Sequence, residues 1–254
     1  MTAVNFPNFR LDGRRALVTG AGRGIGKAIA EAYAAAGVAV TLCARTGDEI
    51  SAVANALRSE GLKADVLVAD VTDIDAFEAH VAGRPAFDIL VNNAGTNRPK
   101  PQLEVTAEDY DAVMNLNMRA AYFATQAVTR RMIAEERSGS VINMSSQMGH
   151  VGAANRTLYC ASKWAIEGFT KALAVELGPH GIRINTICPT FIETPMTKPY
   201  FEDETFRASV LSKIKLGRLG QVGDVTGAAI FLASDASSLM TGSAVMLDGG
   251  WTAD

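Results

Sequence analysis

Tyr159 and Lys163 stand four residues apart in the segment YCASK, one helical turn along a single face, so a phenol and an ammonium can act on one substrate. Such a pair suits proton transfer to or from an oxygen. A tyrosine does that work only if its pKa falls from about 10 towards about 7, which takes about 4 kcal/mol of preferential phenolate stabilisation. The Lys163 ammonium supplies part of that stabilisation.

Far upstream, the strand-like run ALV leads into TGAGRGIG, Thr19 to Gly26, ahead of the helical stretch KAIAEAYAAAG. Gly20, Gly24 and Gly26 let the backbone turn sharply and approach a pyrophosphate, whose charge then sits at the helix N-terminus beside Ile25. A glycine-rich turn between a first strand and its helix points to a dinucleotide. An acidic residue ending the second strand would bind the adenosine ribose 2′-hydroxyl, but Ala44 and Arg45 stand there instead. Arg45 can pair with a 2′-phosphate and Arg23 adds a second cation, which favours NADP(H) over NAD(H). Asp70 and Val71 are read as the end of a third strand, offering a carboxylate and an amide to adenine. NNAG ends a fourth, where Asn93, Ala94 and Gly95 leave room for close cofactor approach.

These segments need a scaffold that brings strand ends together. Short apolar runs alternate with helical periodicity along the chain: ALVTG, VAVTLCAR, KADVLVADV, FDILVNNAG, SVINMSS, IRINTICP and SAVMLDGG, with helical stretches between them. One of these is a long helix through YDAVMNLNMRAAYFATQAVTRRMIAE, and another runs from about Tyr159 to Leu177. Nearly unbroken apolar runs such as ILV and VINM suit parallel strands covered by helices. The expectation is an α/β protein: a single-domain Rossmann-type doubly wound seven-stranded parallel sheet with helices on both faces, spanning residues 1–254. An insertion at about 190–217, carrying Tyr200, Phe201 and Phe206 amid charges, is read as a mobile substrate lid.

The net charge of −3, with both signs interspersed, provides no basic stripe for nucleic acid or anionic lipid. No apolar run reaches roughly 18 residues, and MTAVNFPNFRLDGRR lacks the pattern of a signal peptide, so a cytoplasmic protein without a membrane partner is expected. Cys43, Cys160 and Cys188 show no metal-ligand spacing, and neither disulfide nor metal is expected. A small-molecule substrate is the expected partner.

TGAGRGIG, NNAG, the serine strand end, YCASK and the C-terminal DGG resemble, in order and spacing, the classical short-chain dehydrogenase/reductase family over essentially the whole chain. That resemblance implies a catalytic set of Asn117, Ser146, Tyr159 and Lys163. The family's serine lies about thirteen residues before its tyrosine, which selects Ser146 over Ser145, and the context NxxxxYF selects Asn117 over Asn115; both alternatives stay open. The Ser146 hydroxyl can bind the carbonyl oxygen beside Tyr159 and Lys163 can also hold the nicotinamide ribose, while in the family the asparagine holds a water linking lysine to solvent. Cofactor contacts are implied at Tyr159 and Lys163, and at Pro189, Ile192 and Thr194 after the sixth strand, where Thr190 replaces the family's usual glycine. The family also implies a homotetramer.

The reading is therefore an NADP(H)-dependent oxidoreductase moving hydride between nicotinamide and a ketone or secondary alcohol. Ser146, Gln147 and Tyr159 are the expected substrate contacts, with Arg98, His150, Asn155, Arg156, Phe191 and Glu193 nearby. Their polarity leans towards sugars, polyols and sugar acids, while 3-oxoacyl thioesters remain equally compatible. The rival reading is a non-catalytic nucleotide-binding redox sensor or scaffold.

Overall fold

The structure, a computed structural model, describes residues 8–253; the opening seven positions of the N-terminal segment discussed above, and Asp254, lie outside the described residues. Seven strands form one sheet: β1 (Arg15–Thr19), β2 (Ala39–Ala44), β3 (Ala64–Val68), β4 (Ile89–Asn92), β5 (Gly139–Met144), β6 (Ile182–Pro189) and β7 (Ala244–Leu247). They lie in the order β3-β2-β1-β4-β5-β6-β7, and every neighbouring pair is parallel. This is the expected doubly wound, Rossmann-type α/β architecture, with its chain reversal between β1 and β4.

Alternation along the strands divides the core in two. Ala16 and Val18, Ile89 and Val91, and Leu42 face one layer, which is closed by α1 (Gly24–Ala35), α2 (Gly47–Ser59) and α8 (Val222–Ala233) through Ile29, Tyr33, Ile50 and Leu232. Leu17, Leu90 and Cys43 face the other, closed by α3 (Ile74–Ala82) and α5 (Ala120–Ala134) through Phe77, Val128 and Met132. Burial from both sides is why the central strands β1 and β4 are nearly continuous apolar runs.

Two boundaries differ from the sequence reading. β3 stops at Val68, because it is an edge strand whose last side chain is half-exposed, so Asp70 and Val71 stand in the turn beyond it. Asp70 closes that turn by accepting bonds from the Thr72 amide (2.9 Å) and hydroxyl (2.7 Å). The long helix after β4 is interrupted: α4 (Ala107–Met114) passes into α5 through a wider π turn over Asn115–Arg119.

After β6 the insertion is folded rather than irregular. Ile192 bridges Gly220, a short helical turn covers Lys198–Glu202, and α7 (Glu204–Lys213) starts at Asp203, whose carboxylate caps it. Val210, Ile214 and Leu219 form a small separate core there with Phe191, Phe201, Phe206 and Trp251. Among the described residues, no helix is long and apolar enough to cross a membrane.

Candidate active site

One cleft opens along the carboxyl ends of the strands and joins the segments singled out by sequence. Its walls include Gly20, Arg23, Gly24, Ile25, Arg45, Asp70, Val71, Asn93, Ala94 and Gly95 at one end. Ser146, Gln147, Tyr159, Lys163, Pro189, Ile192 and Thr194 line the other. Gly26 and Asn117 are not on the surface of the cleft and act from beneath it.

The glycine-rich turn is built by exclusion. Gly20 has φ +64°, and a Cβ there would lie 2.9 Å from the Asn93 side-chain nitrogen and 3.0 Å from Ala94 Cα. A Cβ at Gly26 would collide with the Gly20 carbonyl and the Asn93 amide. Asn93 Nδ2 donates to the carbonyls of Thr19 (2.9 Å) and Gly20 (3.1 Å), and Thr19 Oγ1 accepts from the amides of Asn93 (3.0 Å) and Ala94 (3.1 Å). The end of β1 and the end of β4 are thus locked together across the chain reversal. The start of α1 has no side-chain cap and no acidic residue in its first turn, so its amides stay available to an anion. Shape and charge there fit a pyrophosphate.

Beyond the turn, the two arginines are half-engaged with acids. Arg23 lies 3.9 Å from Glu49 and Arg45 lies 3.8 Å from Asp70, both with largely exposed side chains. They share the cleft wall with Ala44 and Thr46, where no carboxylate ends β2. Glu49, which sequence reasoning missed, comes from the first turn of α2 and leans over Gly22. The only available signal was its place four residues beyond Arg45.

At the other end, α6 (Thr157–Leu177) presents Tyr159 and Lys163 on one face, as their spacing predicts. Lys163 is buried, and its ammonium donates to the Met144 carbonyl at the end of β5 (2.7 Å) and sits 5.5 Å from the centroid of the Tyr159 ring. Burial lowers its pKa to about 8, against the pull of Cys188 and Glu167. Burial also raises the Tyr159 phenol, while the nearby Ser146 hydroxyl and the charge of Arg156 draw it down. The protein by itself therefore leaves the phenol protonated, and further positive charge is required to make it an effective base.

Ser146 opens a short turn over Gln147–Gly149, accepting from the Met148 amide and donating to Gln147 Oε1 (2.8 Å). Ser145 also borders the cleft, but its hydroxyl is buried without a hydrogen-bond partner. The π turn carries Asn117 inward: its Oδ1 accepts from the Thr96 amide (2.8 Å), and its Nδ2 donates to the Thr96 carbonyl (2.9 Å) and Ser162 Oγ (3.0 Å). Asn117 so pins the loop after β4 to α6, while Asn115 stays exposed.

Of the other residues placed near substrate, Gln147, Arg156 and Phe191 line the cleft, whereas Arg98, His150, Asn155 and Glu193 do not. Arg98 is instead drawn to Asp109 (3.2 Å), beside Lys100 (2.6 Å), and these cations with Thr106 hold the Asp109 carboxyl well below its usual range. A polar ladder that sequence did not reveal lies behind the cleft: Asn92 donates to Thr125 and Asn143 (both 2.8 Å), and Asn143 donates to Thr170 (2.9 Å). The fold also gathers His150, Glu167 and Cys188 within 4.8 Å, a cluster that the spacing in sequence concealed. Cys188 donates to Glu167 (3.3 Å), which accepts from Thr186 (3.0 Å), and burial with the nearby carboxylate pushes the thiol up to about 12.

Known proteins share this arrangement over almost the full chain. The model of the family described as enoyl-(acyl carrier protein) reductase matches residues 20–252. An L-xylulose reductase of Bos taurus is 42% identical over 97% of this chain and 99% of its own. A gluconate 5-dehydrogenase of Gluconobacter oxydans is 40% identical over 96% of each chain. The crystal structure of a gluconate 5-dehydrogenase from Burkholderia cenocepacia, in complex with NADP and tartrate, superposes with a TM-score of 0.94 at 36% identity, covering 98% of each chain.

Proposed function

The chain belongs to the short-chain dehydrogenase/reductase family and is an oxidoreductase acting on CH–OH groups, and on that premise we propose that it moves hydride between NADP(H) and a small hydroxylated ketone or secondary alcohol. The observation that carries this reading is the meeting of Tyr159, Ser146 and Lys163 on one wall of the cleft whose far end is the glycine-rich turn. NADP(H) is favoured over NAD(H) by Arg23 and Arg45 together with Ala44 in place of an acid. When bound, the nicotinamide supplies or accepts hydride and, in its oxidised form, adds a positive charge.

The side chains manage the proton. In reduction, Tyr159 gives its phenolic proton to the oxygen that gains negative charge; in oxidation, its phenolate takes the proton back. Ser146 holds that oxygen beside the phenol, and Lys163 stabilises the phenolate and can grip the nicotinamide ribose. Asn117 steadies α6 behind Lys163 and serves a relay from lysine to solvent. Pro189, Ile192 and Thr194 complete the cofactor wall, and the folded segment at 190–217 acts as a lid through Met196, Thr197 and Tyr200 at the rim.

Relatives named for a ketose and for a sugar acid, and tartrate in a structural relative, support sugars, polyols and sugar acids as substrates. The 3-oxoacyl thioesters remain in the same class of ketone. A non-catalytic sensor would have no need to keep both Tyr159 and Lys163 in working geometry, and it is disfavoured. The test follows nicotinamide absorbance with NADPH and NADH against keto-sugar acids, ketoses and 3-oxoacyl thioesters. Turnover faster with NADPH, and reduced on the order of 10³-fold by Tyr159→Phe with NADPH affinity kept, is expected. Hydride transfer that survives intact in Tyr159→Phe would overturn the assignment.

A further inference from the structure

We infer that Arg156 is an anion subsite that selects carboxylate-bearing substrates, keto acids and hydroxy acids, over neutral ketoses and polyols. The inference rests on the oxidoreductase reading above and assigns the substrate class of that same cleft. Four cations line the cleft: Arg23 and Arg45 each face an acid, and Lys163 donates to a carbonyl. Arg156 is 8% exposed, and its Nη1 is buried with no hydrogen-bond partner. A buried guanidinium nitrogen without an acceptor is costly, since its donors lose water and gain no hydrogen bond in exchange.

Its position makes the cost larger. Arg156 is the residue preceding α6, a 21-residue helix whose N-terminus has no side-chain cap and no acid in its first turn. The positive end of the helix dipole and a cleft-lining guanidinium therefore belong to the same stretch of chain, where each disfavours the other and both favour an anion. Asn155, just before it, holds a left-handed φ of +59°, a conformation that asparagine tolerates better than most residues. The Asn155 carbonyl accepts from the Lys100 amide (3.1 Å), which fixes that turn. The guanidinium also stacks on the ring of Tyr200 from the lid, 5.4 Å from its centroid. A stacked guanidinium keeps its edge for a planar, two-oxygen partner, and a carboxylate matches that fork.

Distance then sets the substrate. Arg156 immediately precedes α6 and Tyr159 lies in its first turn; both line the cleft, and the charge of Arg156 is felt at the Tyr159 phenol. A carbonyl held at Tyr159 leaves a carboxylate a few carbons away within reach of Arg156, as in a keto-sugar acid or short keto acid.

The experiment compares pairs that differ only in carboxylate against hydroxymethyl: 5-keto-D-gluconate with L-sorbose, and 2-keto-D-gluconate with D-fructose. Reduction by NADPH is measured for the wild type, Arg156→Gln and Arg156→Lys, together with calorimetric binding of each keto acid to the NADP-loaded protein. The acid-to-ketose ratio of kcat/KM should exceed one in the wild type, fall on the order of 100-fold in Arg156→Gln, and recover in part in Arg156→Lys. Keto-acid binding should weaken in parallel. Equal loss for acid and ketose, or an unchanged ratio, would assign Arg156 a structural role and overturn the inference while leaving the oxidoreductase reading intact. Keto acids that bind through Arg156 without any hydride transfer, from these or the wider panel, would keep the inference and sink that reading. A wild type that binds neither acid overturns the subsite.

Discussion

At the level of single residues, the site works by withholding partners. Lys163 is a buried cation that donates to a carbonyl, and its pKa of about 8 against an ordinary 10.5 means that folding disfavours its charge. Between those pH values the unfolded chain keeps a proton that the folded chain releases, so this residue's contribution to stability rises with pH across that window. Urea unfolding of wild type and Lys163→Met at pH 7.5 and 10 checks this: the wild type should gain relative to the variant at the higher pH. Taking the difference removes the opposing alkaline effect of buried acids such as Cys43, whose thiol burial pushes up to about 12. Arg45 is the second residue to test. Arg45→Asp should reverse the NADPH to NADH affinity ratio, measured by fluorescence titration, and an unchanged ratio would remove this side chain from cofactor choice. Tyr159, Lys163 and the glycines were visible in sequence because their spacing is local. Glu49 and the unpaired state of Arg156 were not, since both depend on what a different segment does or does not place opposite.

Among the elements, the glycine-rich turn and the π turn carry the site. Gly20→Ala combines a left-handed φ with contact against Asn93 and Ala94, whereas Gly13, φ +76°, would meet nothing within 4 Å. Gly20→Ala is therefore expected to cost about 1–3 kcal/mol and to weaken NADPH binding, while Gly13→Ala costs about 1 kcal/mol and leaves binding unchanged. Thermal unfolding and cofactor titration of the two variants separate strain from crowding. Periodicity foresaw one long helix after β4, and the structure retains its course but widens it at Asn115–Arg119. That change turns Asn117 onto Thr96 and Ser162, partners no periodicity in the helix itself could reveal. β3 likewise looked longer in sequence than it is, because Ala69 and Val71, on either side of Asp70, carry the apolar pattern past the last residue that β2 pairs.

For the molecule as a whole, the outer faces of α4, α5 and α6 leave Tyr110, Tyr122, Trp164 and Val175 exposed. Tyr122 stacks on Phe169, so α5 and α6 present one continuous apolar surface. We propose that this surface serves the homotetramer that the family resemblance implies, since symmetric self-association would cover the same surface on each copy. Sedimentation velocity should report a tetramer, and the double variant Trp164→Glu, Val175→Glu should dissociate it; a monomeric wild type would discard that proposal.

The amino-acid sequence alone determined the α/β class, the seven-stranded sheet and the pairing of Tyr159 with Lys163, because strand alternation and helical spacing are properties of contiguous residues. Only the tertiary structure decided which charges meet. It brought Asn93 under the glycine turn, set Arg23 and Arg45 against acids, gathered His150, Glu167 and Cys188, and left Arg156 Nη1 without a hydrogen-bond partner. Those outcomes depend on distance and burial across separate elements, where the energy of a charge is set by its neighbours in space.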